Sequence, residues 1–145
     1  MTERPDKRAI ASWAFYDFAN TIFSMNVISL YFALWVTVDH GGQDILYSIA
    51  LSGSMLAVAI SAPVFGTISD QTGRRRFPLI LLTIISVFAT ALIGQASQLW
   101  IGLLLFVIAN YCYQSALVFY NGMLPSVARQ SNVGMISGYG VALGY

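Results

Sequence analysis

Residues 66–76 read GTISDQTGRRR, and they lie between two long apolar segments. This stretch places one acid, two glycines and three arginines in the most densely charged loop of the chain. Short loops rich in arginine stay on the cytoplasmic side of a membrane, and glycine allows the backbone to reverse sharply. The stretch therefore indicates a cytoplasmic connection between two membrane spans.

The composition is that of a protein surrounded mostly by lipid. Hydrophobic residues make up 57% of the 145 residues, charged residues make up 9%, and the mean hydropathy is +0.70. Residues 77–128 contain no acidic or basic side chain. A soluble domain needs far more surface charge, so this composition excludes the soluble classes. We expect no nucleic-acid partner.

Four apolar segments are long enough to cross a hydrocarbon core of about 30 Å, which needs roughly 20 helical residues. The predicted spans are residues 9–38, 45–69, 77–96 and 99–121. A polar turn is predicted from Gly122 to Asn132, and a fifth apolar helix starts over 134–145. That last helix covers only about 18 Å, so we expect a longer protein. The predicted fold class is all-α, a polytopic helical membrane protein.

The basic residues predict the orientation of these spans. The loops at 39–44 and 97–98 contain no lysine or arginine. All seven basic residues precede the first span, follow the second or follow the fourth: Arg4, Lys7, Arg8, Arg74, Arg75, Arg76 and Arg129. The positive-inside rule therefore places the amino terminus in the cytoplasm.

A polar stripe interrupts the first span at Asp17, Asn20, Thr21 and Ser24. The spacing i, i+3, i+4, i+7 puts these residues on one face of a helix. A central aspartate costs roughly 2.5 to 3.5 kcal/mol in a membrane, so Asp17 is expected to face a cavity or a partner. We favour a pathway for substrate or coupling ion, and the alternative is an interhelical hydrogen-bond patch.

The fourth span carries a second, uncharged polar set at Asn110, Tyr113 and Gln114. Amide and phenol groups can bind a polar solute without the desolvation cost of an ion. We assign these three residues to the same pathway. For Asn110 and Gln114, contact with a solute and contact between helices are equally compatible with the sequence.

The remaining reactive side chains predict no catalytic or metal site. Cys112 lies within the fourth span and is assigned to packing, and His40 lies in a polar loop and is assigned to solvent. The spans contain no paired carboxylates, histidine cluster or Ser-His-Asp set. We therefore expect neither an enzyme, nor a cofactor, nor a bound metal.

Gly66, Asp70, Gly73, Arg74 and Arg75 match the loop signature of the major facilitator superfamily, in its usual place between the second and third spans. Within that superfamily, three segments resemble the Atg22-type vacuolar effluxer branch and its bacterial relatives: WAFYDFANT at 13–21, YNGMLP at 120–125 and SGYGVALGY at 137–145. The resemblance implies two six-helix halves, alternating access and a solute site between the halves. This chain would be an incomplete first half.

The resemblance also implies a gate. In that superfamily the loop acid pairs across the cytoplasmic gate with arginine and a helix start in the second half, which favours the outward-open state. Asp70 and Arg74 would take these roles, and the alternative is that the arginines set topology only. Gln71 departs from the signature, which usually has a basic residue there. The fourth span also lacks the buried arginine of many proton-coupled drug exporters, so proton, sodium or no coupling stays open.

The expected function is secondary transport of a small polar solute in a bacterial cytoplasmic membrane. Amino acids come first by resemblance, because the eukaryotic members export them from the vacuole, and a sugar with cation symport comes second. A small membrane assembly subunit without transport activity is the other class. The expected partners are the solute, membrane lipid, a proton or sodium ion, and the missing second half of the chain.

Overall fold

The computed structural model describes residues 7–127, with the side chains of residues 11–124, and the single positions Gly134, Gly138 and Ala142. Over these residues the chain is helical and contains no strand, which confirms the predicted fold class. The helices, in chain order, are α1 (Lys7–Phe23), a π-helix (Ser24–Tyr31), α2 (Phe32–Leu34), a second π-helix (Trp35–Asp39), α3 (Asp44–Thr72), α4 (Arg76–Ile93) and α5 (Leu99–Val127).

Within the described residues, four helical segments are long and apolar enough to cross a membrane. They are Ala11–Asp39, Asp44–Thr72, Arg76–Ile93 and Leu99–Leu124, which are called the first to fourth spans below. Each lies within a few residues of its predicted bounds, so the chain is a multi-pass membrane protein. The predicted fifth helix over 134–145 lies outside the described residues, apart from three isolated positions.

The first span is not a regular α-helix. It changes to π-helix at Ser24, where the Ser29 hydroxyl donates to the Ser24 carbonyl oxygen at 3.0 Å across five residues. The chain also divides near this segment into two compact units, one made of Met1–Tyr31 with Met123–Tyr145 and the other of Phe32–Gly122. π-Helical turns are rare and frequently occur at functional sites.

The fourth span corrects one prediction. A polar turn was expected to begin at Gly122, but helix α5 continues through Pro125 to Val127. Proline removes a backbone donor, which usually ends a helix. Membrane helices tolerate it because neighbouring groups satisfy the freed backbone atoms. Sequence rules for soluble helices therefore placed this end too early.

Within the unit Phe32–Gly122, the second and fourth spans lie side by side and run in the same direction. Ser54 contacts Asn110 near one end, and the rings of Phe65 and Phe119 lie 5.6 Å apart further along. The third span joins the fourth through the Ser86 hydroxyl, which donates to the Ala109 carbonyl oxygen at 2.9 Å. The fourth span is the most buried of the four and forms the core of this unit.

Candidate functional site

The loop between the second and third spans is a tight, hydrogen-bonded turn. Helix α3 ends at Thr72, and Gly73 follows with φ of 63°. Its N–H donates to the Ser69 carbonyl oxygen at 3.1 Å, and Arg75 N–H donates to the Gly73 carbonyl oxygen at 3.2 Å. A left-handed residue at this position costs any amino acid with a Cβ roughly 1–2 kcal/mol. Gly73 therefore fixes the direction in which the arginines leave the helix.

Arg75 is the centre of a hydrogen-bonded junction at this end of the bundle. Its Nε donates to the Ser69 hydroxyl at 3.0 Å, and its Nη2 lies 2.9 Å from Asp70 Oδ1. Its Nη1 donates to the carbonyl oxygen of Gly122, in the fourth span. We call Ser69, Asp70, Arg75 and Gly122 the Arg75 junction. The planar guanidinium alone offers this fork of donors, so one side chain joins the loop and two spans.

The parts of the junction differ in strength. Asp70 is 75% exposed and Arg75 is 23% exposed, so their ion pair contributes only about 0–1 kcal/mol. The Ser69 hydroxyl is buried, and the hydrogen bonds from Arg75 to Ser69 and to the Gly122 carbonyl are partly shielded from solvent. Hydrogen bonds to a charged group contribute about 1.5–3 kcal/mol each. The attachment to the fourth span therefore depends mainly on Arg75 and little on Asp70.

The structure places the other predicted loop residues apart from this junction. Arg74 is exposed, and its backbone N–H lies 3.4 Å from the Thr72 hydroxyl. In the described residues, Asp70 pairs with Arg75 and not with Arg74. Gly66 lies inside helix α3, and a Cβ at this position would meet no described side chain or neighbouring helix within 4 Å. A gate role for Asp70 and Arg74 stays a prediction.

The polar residues of the first span are described within the unit Met1–Tyr31. Asp17 is half-buried, Asn20 is buried, and the Thr21 hydroxyl donates to the Asp17 carbonyl oxygen at 3.0 Å. Asp17, Asn20 and Thr21 lie in regular α-helix and share one face, while Ser24 lies where the π-helix begins. The α-helical spacing assumed for the whole stripe therefore applies up to Thr21. Their role in a pathway stays a prediction.

The fourth-span residue Asn110 contacts the second span. Its Nδ2 donates to the Ser54 hydroxyl at 2.7 Å, and both side chains are 0% exposed. The Ser54 hydroxyl donates in turn to the Leu51 carbonyl oxygen at 2.7 Å, so Ser54 must accept from Asn110. The Asn110 amide must therefore present its NH2 group, and not its oxygen, to Ser54. Nearby, Tyr113 is buried and Gln114 is half-buried.

The other side of the Asn110 amide leaves an acceptor unused. Its Oδ1 is buried and has no hydrogen-bond partner among the described residues. A buried acceptor without a donor costs about 1–3 kcal/mol. The Asn110 side-chain nitrogen therefore contacts the second span. Its oxygen is a candidate acceptor for a solute or for another donor.

Sequence reasoning missed the partners on the second span. Ser54, Ser61 and Ser69 are separated by seven and eight residues, which places them along one face of helix α3. Ser54 contacts Asn110, the Tyr111 hydroxyl donates to the Ser61 hydroxyl at 3.1 Å, and Ser69 accepts from Arg75. This serine face is the signal that could have identified the contact between the second and fourth spans.

Ser54→Ala is expected to lower the stability of the full-length protein by about 1–2 kcal/mol, because it leaves the Asn110 Nδ2 without its acceptor. The double variant Ser54→Ala/Asn110→Leu should regain most of this loss, since it removes both partners. Unfolding of the purified protein in mild detergent measures both changes. A double variant less stable than Ser54→Ala would contradict the hydrogen bond.

Comparison with known proteins gives a family match and two relatives. Residues 44–135 match the family model described as "Vacuole effluxer Atg22 like". An "Uncharacterized protein" of Aquifex aeolicus (strain VF5) is 30% identical over 148 residues, covering 100% of this chain and 38% of the relative. The "Uncharacterized MFS-type transporter YxiO" of Bacillus subtilis (strain 168) is 30% identical over 145 residues, covering 92% of this chain and 33% of the relative. No solved structure gives a significant match.

The chain spans 38% of the length of the first relative and 33% of the length of the second. The family match includes the second, third and fourth spans and the whole Arg75 junction. The match therefore covers three of the four described spans and the hydrogen bonds that connect the second span to the fourth. The chain belongs to the Atg22-like vacuole effluxer family, which is of the MFS transporter type.

Proposed function

We propose that this chain is the amino-terminal part of a secondary active transporter that moves a small polar solute by alternating access. Asp17 carries the proposal, because it is an ionisable side chain in an apolar helix of 29 residues. Acids in such positions are costly and mark pathways for substrates or ions. The transporter family to which the chain belongs supports the same function.

Amino acids are the proposed substrate class. The Asp17 carboxylate can pair with the ammonium group of an amino acid. The resemblance to vacuolar effluxers, whose eukaryotic members export amino acids, supports this choice. A sugar carried with a cation is the second candidate. The buried amide oxygen of Asn110 has no hydrogen-bond donor among the described residues, and it could accept from a sugar hydroxyl. Asp17 would then bind the coupling proton or sodium ion.

We propose a bacterial cytoplasmic membrane with the amino terminus in the cytoplasm. The distribution of lysine and arginine supports this orientation, because the loops at 39–44 and 97–98 lack both residues. In this orientation the Arg75 junction faces the cytoplasm. The remainder of the full-length protein would supply the other half of the solute site.

Uptake by the full-length protein in proteoliposomes tests the proposal. Labelled amino acids and sugars are offered with an imposed proton gradient, a sodium gradient or neither. We expect accumulation of one class that depends on one gradient. Folded, correctly inserted protein that moves none of these solutes would favour the alternative of a membrane assembly subunit.

A further inference from the structure

The carboxyl end of the first span packs against the fourth span through aromatic rings. Phe32 stacks on Phe106 with ring centroids 4.0 Å apart and planes 2° apart. Trp35 lies one turn further along, with its indole over Gly102. A Cβ at Gly102 would overlap the indole ring, so only glycine leaves room for it. Val36, the residue after Trp35, is 0% exposed.

His40 contacts the same indole. The His40 and Trp35 ring centroids are 3.9 Å apart, and His40 Nδ1 lies 3.3 Å from the Trp35 carbonyl oxygen. His40 is the residue that follows the π-helix Trp35–Asp39, so it sits at the carboxyl end of the first span. The sequence assigned this histidine to solvent, but it is half-buried against Trp35. That assignment was incomplete because it ignored the π-helical spacing of five residues.

A proton on His40 would strengthen each of these contacts. The carbonyl oxygens at a helix carboxyl end carry partial negative charge and favour a cation. An imidazolium over the face of an indole is attracted to the ring, and its Nδ1–H donates to the Trp35 carbonyl oxygen. Histidine is the side chain that changes charge between about pH 5 and 8.

The sequence around His40 carries no positive charge that would oppose a protonated imidazole. The titratable side chains in the adjoining segments are Asp39 at the end of the first span and Asp44 and Tyr47 at the start of the second span. Residues 99–106 of the fourth span contain no titratable group. No lysine or arginine occurs in the segment 32–47 that would oppose the positive charge.

We propose that His40, Trp35 and Gly102 form a proton-sensitive latch: a protonated His40 holds the Trp35 indole more firmly in its place over Gly102, and the indole in turn holds this end of the first span against the fourth. The latch rests on this geometry, whereas its use in alternating access rests on the proposed transport function. In the proposed orientation it would sense the pH outside the cytoplasm.

Thiol labelling of the full-length protein tests the latch without any solute. Val36→Cys places a thiol at a fully buried position next to Trp35, and Val38→Cys places one two residues away at a position that is 71% exposed. All other cysteines, including Cys112, are replaced. The two variants are labelled with a membrane-impermeant maleimide at pH 8 and pH 5.5. The ratio of their rates cancels the pH dependence of the thiol itself.

We expect the ratio of position 36 to position 38 to fall roughly fivefold on acidification, which corresponds to about 1 kcal/mol. With His40→Gln the ratio should not change with pH, and with His40→Lys it should be low at both pH values. A ratio independent of pH in the parent protein would overturn the latch. A fall that persists with His40→Gln would overturn the role of His40. The labelling experiment does not measure transport. A failure of the proposed transport function would therefore leave the test of the latch unaffected.

Discussion

Arg75→Met is expected to destabilise the full-length protein by about 2–4 kcal/mol and to abolish transport. The change removes the bonds from Arg75 to Ser69 and Gly122 together with the ion pair to Asp70. Hydrogen bonds to charged groups contribute about 1.5–3 kcal/mol each, and the buried Ser69 hydroxyl would lose its partner. Unfolding in mild detergent and uptake in proteoliposomes measure the two effects.

Arg74→Met is the matched control, because it removes the same charge from the neighbouring exposed position. It should change stability by less than about 0.5 kcal/mol. If the arginines acted only on topology, the two variants would behave alike. Equal losses of stability and of transport would therefore contradict the Arg75 junction.

Asp17→Asn is expected to lower gradient-driven uptake at least about tenfold, which corresponds to about 1.4 kcal/mol in the rate-limiting barrier. The variant keeps the size of the side chain and removes its charge, so a bound ammonium group, proton or sodium ion would lose its counter-charge. Insertion should be unchanged, because an amide is less costly than a carboxylate within the membrane. Uptake at several pH values and sodium concentrations measures the loss.

Asp44→Asn is the control for this change. Asp44 is exposed and lies at the start of helix α3, outside the first span, so its removal takes away one carboxylate without affecting the polar stripe. Uptake should stay close to that of the parent protein. An Asp17→Asn protein that transports at the parent rate, with the same pH dependence, would remove Asp17 from the pathway.

Two glycines, one near each end of the fourth span, each contact a side chain from another part of the chain. Gly102 receives the Trp35 indole near one end, and Gly122 accepts from Arg75 near the other. Both contacts belong to the unit Phe32–Gly122. The fourth span is therefore held at both ends, by an aromatic contact at one end and by hydrogen bonds from Arg75 at the other.

The spans could be predicted from the sequence because hydropathy and length are local properties. The four segments needed only a count of apolar residues, and the loop at Gly73 needed only its glycine and its arginines. The helix beyond Gly122 could not be predicted in this way, because a proline in a membrane helix depends on its neighbours. The change to π-helix at Ser24 left no simple signal in the residues.

The site was predicted less completely, because its contacts join residues far apart in the chain. Three consecutive arginines are equivalent in sequence, and only the direction of the turn after Gly73 selects Arg75 for the junction. Asn110 was singled out as a polar residue within the fourth span, but identifying its partner Ser54 required the packing of two spans. The position of Trp35 over Gly102 likewise depends on tertiary contact and not on either segment alone.

Solute counterflow tests the central claim, that the chain is part of an alternating-access carrier, most directly. Proteoliposomes containing the full-length protein are loaded with an unlabelled amino acid and diluted into a trace of the labelled one, without any ion gradient. The account predicts that the label accumulates transiently inside the vesicles above its outside concentration. A carrier that has released unlabelled solute outside binds labelled solute there and carries it back in. Folded protein that gives no such accumulation with any amino acid or sugar would contradict the account.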